Sequence, residues 1–171
     1  MSERDLSYIA KGVQPAMSVV HSHTFQHAGF PVNDLMRATD FYVNILGLKI
    51  DGPEPTPQSR QVRMYCGDDS NAPGQQVVLF LRATPIERDS AQNQLESLRL
   101  VEQGDTVAAA RFVQDGRTHQ AFVITPEEFE MALAKFKELG IPFCKDVPRG
   151  NHNAMYFFDP DGNQLQLTDH L

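Results

Sequence analysis

The chain has 171 residues, of which 41% are hydrophobic, and this is the size and composition of a single globular domain with its own core. A formal net charge of −7 at pH 7 and a sequence pI near 5.3 argue against nucleic acid as the main partner. These values still allow a small anionic ligand to be held by one or two local arginines.

An N-terminal arm, residues 1–22, precedes the first predicted strand. It begins MSERDLSYIAKG, which is charged and lacks the apolar stretch of a secretory signal. No apolar run in the sequence is long enough to cross a membrane. The two cysteines, Cys66 and Cys144, are too few for a disulfide framework. The sequence therefore predicts a cytoplasmic protein with reduced thiols and no membrane partner.

The first predicted module covers residues 23–84 and opens with a strand that carries His27. A helix follows, capped by Asn33 or Asp34 and ended by Gly47. Its predicted inner stripe consists of Leu35, Ala38, Phe41 and Ile45. Three strands are expected next, near 48–54, 60–67 and 75–83, and the sequence DDSNAPG forms a loop between the last two.

A connector, residues 85–115, joins this module to the next. It contains ERDSAQNQLESLRLVEQG, whose pattern allows a short amphipathic helix. Because the segment is longer than a turn requires, a lid and an interface stand beside a plain surface connector as interpretations.

The second predicted module, residues 116–171, has stronger local signals, and its first strand carries His119. Thr125 is a natural N-cap, Pro126 suits the first helical position, and Glu128 completes a capping box. The inner stripe is predicted to be Phe129, Leu133, Phe136 and Leu139, with Gly140 as the left-handed stop. Three strands are expected near 141–147, 152–159 and 163–169, with DPDG as a tight turn before the last.

The two halves therefore share one pattern. Each begins with a His on a short apolar run, continues into a helix, and ends that helix in Leu-Gly. The separation is 47 − 27 = 20 positions from His27 to Gly47, and 140 − 119 = 21 positions from His119 to Gly140. Such self-similarity indicates a duplicated unit. The predicted class is α+β, with two β-α-β-β-β modules in one structural domain.

Three phrases give the chain a family resemblance: FQHAGFPVNDLMRATDFYVNILGLKI, THQAFVI and YFFDPDGNQLQLT. They resemble the glyoxalase, bleomycin-resistance and extradiol-dioxygenase superfamily, also called the vicinal oxygen chelate superfamily, over residues 24–83 and 116–169. The resemblance implies that the mixed sheets of the two modules curl into a half-open cup. It leaves open whether the modules pair within one chain or across a homodimer.

The same resemblance implies a divalent metal site inside the cup. His27 and His119 are the expected ligands from the first strand of each module, and Gln166 stands where the family normally has Glu. A fourth ligand, used by the glyoxalase and epimerase branches, would fall on Val78 or Leu79, and neither side chain can bind a metal. Ligand type does not distinguish Fe, Mn, Zn and Ni. Three neutral ligands predict weaker metal retention and stronger Lewis acidity than a set with a carboxylate.

Four further residues are candidates for roles around this site. His152 and Tyr156 are candidate catalytic groups, because they lie in PRGNHNAMYFF, at or before a strand that lines the cup in the family, and an imidazole titrates near neutrality. Arg63 and Arg149 are candidate contacts for an anionic group of the substrate. Each has a plainer interpretation, as a surface charge for the arginines and His152 and as a core position for Tyr156.

The leading functional hypothesis is a metal-dependent enzyme acting on a small oxygen-bearing molecule, with dioxygenase-like or lyase/isomerase-like chemistry at the open coordination positions. The alternative is a drug- or metabolite-binding protein of the resistance type that works without a metal. A third hypothesis is a structural or regulatory protein that retains only the fold.

Overall fold

The computed structural model describes residues 25–72, 74–85, 119–145 and 152–170. The predicted N-terminal arm, the predicted connector beyond Pro85, and Arg149 lie outside these ranges. The division of the chain at residues 22, 84 and 115 therefore stays a prediction.

Within these ranges the chain folds into two copies of one unit. The first copy consists of β1 (His27–Val32), helix α1 (Leu35–Asn44), β2 (Lys49–Ile50), β3 (Gln61–Tyr65) and β4 (Gln76–Leu81). The second consists of β5 (His119–Val123), helix α2 (Pro126–Leu139), β6 (Phe143–Lys145), β7 (Ala154–Phe158) and β8 (Gln164–Thr168). The predicted α+β class and the β-α-β-β-β order are confirmed. Neither described helix is long and apolar enough to cross a membrane.

Each copy forms its own four-stranded mixed sheet, in the orders β1-β4-β3-β2 and β5-β8-β7-β6. The first and last strands of each copy run parallel, and the remaining neighbours are antiparallel. The registers also match, since His27 is opposite Gln76 and His119 is opposite Gln164. Positions of the two modules can therefore be equated strand by strand.

Helix α1 buries only part of the predicted stripe. Asp34 is the N-cap, and its side chain accepts a hydrogen bond from the backbone of Arg37 at 3.0 Å. The buried residues are Leu35, Ala38, Thr39 and Tyr42. At about 100° per residue, Tyr42 lies within about 20° of Leu35, whereas Phe41 is rotated by about 120°. Phe41 and Ile45 are accordingly only half-buried.

Helix α2 begins as predicted. The Thr125 side chain accepts from the backbone of Glu128 at 3.2 Å, and the Glu128 carboxylate accepts from the backbone of Thr125 at 2.7 Å. Gly140 ends the helix at φ 65°. The prediction for Leu139 was wrong, because this side chain is 45% exposed. Leu139 is rotated by about 80° from Phe129, which places it off the buried stripe.

The strands are shorter than predicted, most clearly after α1. The expected strand at 48–54 forms only over Lys49–Ile50, with one further backbone bond from Asp51 to Arg63. Gly52 and Pro53 follow, and a proline has no N–H for the sheet ladder.

One hydrophobic core is shared by both modules. Its buried side chains come from α1 and α2 and from alternate residues of the strands in both sheets. The rings of Phe41 and Phe157 meet across the two modules with centroids 6.4 Å apart.

The turn of residues 159–163 fixes the second module to the first, and we call this contact the module joint. Buried Asp159 accepts hydrogen bonds from the backbone of Asp161 (2.9 Å), the backbone and side chain of Asn163 (2.8 and 2.7 Å), and the Tyr42 hydroxyl (3.1 Å). Burial raises the pKa of Asp159, although these donors oppose the shift. Burial and the neighbouring Asp159 carboxylate raise the pKa of Tyr42 above its ordinary value.

Asp161 forms the second half of the module joint. Its buried carboxylate accepts from the backbone of Asn33 at 2.9 Å and from the Arg37 guanidinium at 3.3 Å. Arg37 also donates to the backbone oxygen of Pro160 at 3.4 Å. The DPDG motif is thus a turn, as predicted, and in addition an attachment point between the modules.

Candidate metal centre

Each sheet has a core face and a second face, because successive side chains of a strand point to opposite sides. The side chains that do not belong to the shared core define the second face. In the first module these are Lys49, Gln61, Arg63, Tyr65, Gln76, Val78 and Phe80, together with His27, Gly29 and Pro31. In the second module they are His119, Ala121, Val123, Cys144, Ala154, Tyr156, Phe158, Gln164, Gln166 and Thr168.

Parts of the second face are buried although they lie outside the shared core. Val78, Cys144, Ala154 and Tyr156 are all at most 5% exposed and are absent from the core cluster. The polar side chains of β8, Gln164, Gln166 and Thr168, are between 4% and 7% exposed. Polar groups enclosed on one face of a sheet are typical of a ligand-binding concavity, because an apolar core has no partners for them.

His119 and Gln166 meet on this face. The His119 Nε2 atom is 3.1 Å from the Gln166 Oε1 atom, so one imidazole nitrogen and one amide oxygen lie within hydrogen-bonding distance of each other. They come from the parallel neighbours β5 and β8, offset by two residues in register. Tyr156 lies opposite Gln166 on β7, and its ring meets the His119 ring edge-on at 5.5 Å. Three of the predicted site residues are therefore brought together.

His27 occupies in β1 the position that His119 occupies in β5. Its side chain is half-buried, and its Nδ1 atom is 2.6 Å from the Gln26 Oε1 atom. The register also decides which residue of the first module corresponds to Gln166. Gly29 pairs with Val78 as Ala121 pairs with Gln166, so the position is Val78, while Leu79 belongs to the core.

Arg63 and His152 make no contact with the His119–Gln166 pair in the part of the chain that the structure describes. Arg63 is exposed on β3 opposite Val78, where Tyr156 stands in the other module. His152 precedes β7, four residues from Tyr156, which is about 13 Å along a strand. It stacks on His170 with ring centroids 4.6 Å apart and planes 15° apart.

Sequence reasoning missed two glutamines, one beside each histidine. Gln76 is opposite His27, and Gln164, 4% exposed, is opposite His119. Gln76 donates to the backbone oxygen of Ser70 at 2.7 Å, and its buried Oε1 atom meets no donor among the described residues. The sequence repeat could have shown both glutamines, because each lies two residues before a candidate ligand position. Gln76 precedes Val78, and Gln164 precedes Gln166.

The candidate ligands His27, His119 and Gln166 can hold a metal ion together only if the Gln166 side-chain amide is one of the donors. In the described parts of the chain, no group of three or more His, Cys, Asp or Glu side chains is placed to hold a metal ion. Imidazole nitrogen and amide oxygen are both accepted donors for divalent ions, and His119 and Gln166 hold one such atom each, 3.1 Å apart.

The sequence matches the family model of the Glyoxalase/Bleomycin resistance protein/Dioxygenase superfamily over residues 24–167. The chain belongs to this superfamily. Solved structures of similar fold include a Glu-to-Gln variant of the fosfomycin resistance protein FosX from Listeria monocytogenes, complexed with Mn(II) and 1S,2S-dihydroxypropylphosphonic acid. It is 18% identical at a TM-score of 0.59, with 88% of this chain and 95% of that chain covered.

Two further solved structures have a similar fold. Lactoylglutathione lyase from Agrobacterium tumefaciens is 20% identical at a TM-score of 0.54, with 86% of this chain and 93% of that chain covered. A glyoxalase/bleomycin resistance protein/dioxygenase from Alicyclobacillus acidocaldarius is 19% identical at a TM-score of 0.52, with 85% and 90% covered. These similarities support the fold, a pair of modules with mixed sheets.

Proposed function

We propose that this protein is a metal-dependent enzyme of the vicinal oxygen chelate type that acts on a small oxygen-bearing molecule. The observation that carries the proposal is the approach of the His119 Nε2 atom to the Gln166 Oε1 atom on a buried polar sheet face. Two solved structures of similar fold support it, since one contains Mn(II) and a phosphonic acid and the other is named a lyase.

In this proposal His27, His119 and Gln166 hold an Fe, Mn, Zn or Ni ion. When bound, the ion supplies Lewis acidity toward adjacent oxygens of the substrate. Tyr156 fixes the orientation of the His119 ring by its edge-on contact, and the low exposure of Gln164 and Gln166 keeps water from their side of the site. The chemistry is dioxygenase-like or lyase/isomerase-like.

The remaining candidates have roles at the rim of the proposed site. Arg63 and Arg149 are proposed to bind an anionic group of the substrate, and Arg63 has an exposed guanidinium available for it. Tyr156 is proposed as a catalytic group as well as a positioning residue. His152 is also proposed as a catalytic group. Because it precedes β7, four residues from Tyr156, it would act on a more distant part of the substrate, or after movement of the segment that carries it.

A second candidate function is metal-free binding of a drug or metabolite. The specific observation in its favour is that His119 and Gln166 already satisfy one another by a direct hydrogen bond. A polar pair that is complete without an ion suits a binding pocket as well as a metal site.

Metal analysis separates the two functions. Purified wild type, His27→Ala, His119→Ala and His170→Ala would be reconstituted with Fe(II), Mn(II), Zn(II) and Ni(II), dialysed, and assayed by elemental analysis. We expect near-stoichiometric metal in the wild type, and at least about a tenfold weaker affinity after loss of either proposed ligand.

His170→Ala is the matched control, because it removes an imidazole that stacks on His152 and is not one of the proposed ligands. Stoichiometric metal that survived both ligand substitutions would contradict the proposed site. Absence of metal from the wild type under all four conditions would favour the metal-free binding protein.

A further inference from the structure

We propose that His152 and His170 form a pH-sensitive clasp across the ends of β7 and β8. The clasp is closed while the pair of imidazoles carries at most one proton, and binding of a second proton opens it. This device involves none of the proposed metal ligands and does not depend on the proposed function.

The two histidines stand directly opposite each other on neighbouring strands. Ala154, the first residue of β7, pairs with Thr168, the last residue of β8. Two residues further out, the same antiparallel register places His152 opposite His170. Side chains that are directly opposite have Cβ atoms about 4.5 to 5.5 Å apart and point to the same side of the sheet. The ring stack, with centroids 4.6 Å apart and planes 15° apart, is the contact expected of such a pair.

The residues between the strands and the histidines hold the two strand ends together. The Asp169 N–H donates to the Asn153 backbone oxygen at 3.3 Å. The Asp169 carboxylate accepts from the backbone and the side chain of Asn153 at 2.8 and 2.6 Å. Further inward, Ala154 and Thr168 are only 5% and 6% exposed. Opening of the clasp therefore affects the strand ends at the surface and leaves the buried parts of β7 and β8 paired.

The first module closes the equivalent strand ends without a pair of rings. The strand register equates His152 with Ser59 and His170 with Arg82. The Arg82 guanidinium donates to the Pro31 backbone oxygen at 3.0 Å. Because this end of the unit can close without stacked imidazoles, strand pairing alone does not require the two histidines. They add a group that titrates near neutrality.

Asp169 supplies a negative charge beside the pair. The hydrogen bond from the Asn153 side chain lowers the pKa of Asp169, and the charge of His152 acts in the same direction. Asp169 is therefore an anion at neutral pH, and it attracts the first proton that the imidazole pair takes up.

The other charged groups on the neighbouring elements have partners of their own or are exposed. Lys145 of β6 lies 3.9 Å from the Glu130 carboxylate of α2. Helix α2 begins after β5, at the same end of the sheet as the clasp. There the Glu128 carboxylate accepts from the backbone of Thr125 at 2.7 Å, and Glu127 is exposed to solvent.

The second proton meets repulsion from the first. Two unit charges on rings 4.6 Å apart weaken the binding of the second proton about tenfold at a partly screened surface. The closed pair thus holds this proton less tightly than separated rings do, so acidification through the second step favours the open form. With an ordinary imidazole as reference, we expect opening between about pH 5 and 6.

Nuclear magnetic resonance of the imidazole rings in the full chain tests the clasp. The chain has six histidines, and the variants His152→Phe and His170→Phe assign the two sets of signals by their loss. In the wild type we expect each of the two rings to report two coupled steps, about tenfold apart in proton concentration. Nuclear Overhauser contacts between the two rings should disappear at the second step.

His170→Phe is also the matched control, because it retains an aromatic ring at this position but cannot take up a proton. His152 should then titrate in a single step, and its contact with the ring at position 170 should persist throughout the titration. Asp169→Asn removes the neighbouring carboxylate, and we expect it to move the first step to lower pH. Circular dichroism at each pH checks that the chain remains folded.

Three results would overturn the clasp. The first is independent, single-step titration of the two rings in the wild type. The second is a set of ring contacts that persists through both steps. The third is loss of the contacts in His170→Phe at the same pH as in the wild type, since the opening would then be caused by a different group.

Discussion

At the scale of single residues, the candidate centre shows what sequence patterns can locate and what they cannot. The repeat and the family resemblance led to His119 and Gln166, whose side chains meet at 3.1 Å. Neither pattern could choose between Val78 and Leu79, because the choice depends on how β1 pairs with β4. That pairing joins residues about fifty positions apart, and only the folded sheet fixes it.

A substitution at Val78 tests the correspondence with Gln166. Val78→Glu adds a carboxylate at the position of the missing fourth ligand, and we expect the Kd for Mn(II) to fall about tenfold, equal to about 1.4 kcal/mol. Isothermal titration calorimetry gives the measurement. Phe80→Glu is the matched control, since it adds the same charge on the same face of β4 at a 40% exposed position. An equal gain in both variants would show that added charge, not the position, is responsible.

At the scale of elements, the signals for helix ends were accurate, and those for helix faces were accurate in part. Caps are local, and Thr125, Glu128 and Gly140 have the predicted roles. The face of α1 depends on a partner that is distant in sequence, because Tyr42 turns inward and its hydroxyl binds Asp159. Hydrophobic patterns predicted where the strands lie. The strand lengths could not be predicted in this way, because they depend on which neighbouring residues have backbone N–H and C=O groups free to pair.

The capping box of α2 makes a measurable contribution. Thr125→Ala removes the acceptor for the backbone of Glu128, and we expect a loss of about 1 kcal/mol in the free energy of unfolding. Urea denaturation followed by circular dichroism measures it. Thr125→Ser retains a hydroxyl at the cap and should recover most of the loss. If serine were as damaging as alanine, the contribution would have to come from the threonine methyl group.

At the scale of the whole molecule, the module joint links titration to stability. The folded state holds the proton of Tyr42 more tightly than the unfolded chain does. Stability from this group is therefore complete below the ordinary tyrosine pKa of about 10 and decreases as the pH rises above it. In the folded state the Tyr42 hydroxyl donates one of the four hydrogen bonds that the buried Asp159 side chain accepts.

Tyr42→Phe separates these two effects. At about pH 7 we expect it to lower the free energy of unfolding by about 1.5 to 3 kcal/mol, through the lost bond to Asp159. Because phenylalanine cannot ionise, the difference between wild type and variant should shrink as the pH rises past about 10. Urea midpoints across this range give the measurement, and Tyr65→Phe, at a half-buried tyrosine on the second face, is the control. A difference that stayed constant with pH would contradict the raised pKa of Tyr42.

The module joint also determines how the duplicated architecture responds to damage. In solenoid proteins each repeat contacts only its neighbours, so parts of the array can come apart separately. Here Asn33 and Tyr42 of the first half donate hydrogen bonds to the turn after β7 in the second half. The hydrophobic residues of both halves form one cluster. Neither half can be released without exposing the apolar surface of the other. We therefore expect the two halves to unfold together in a single cooperative transition.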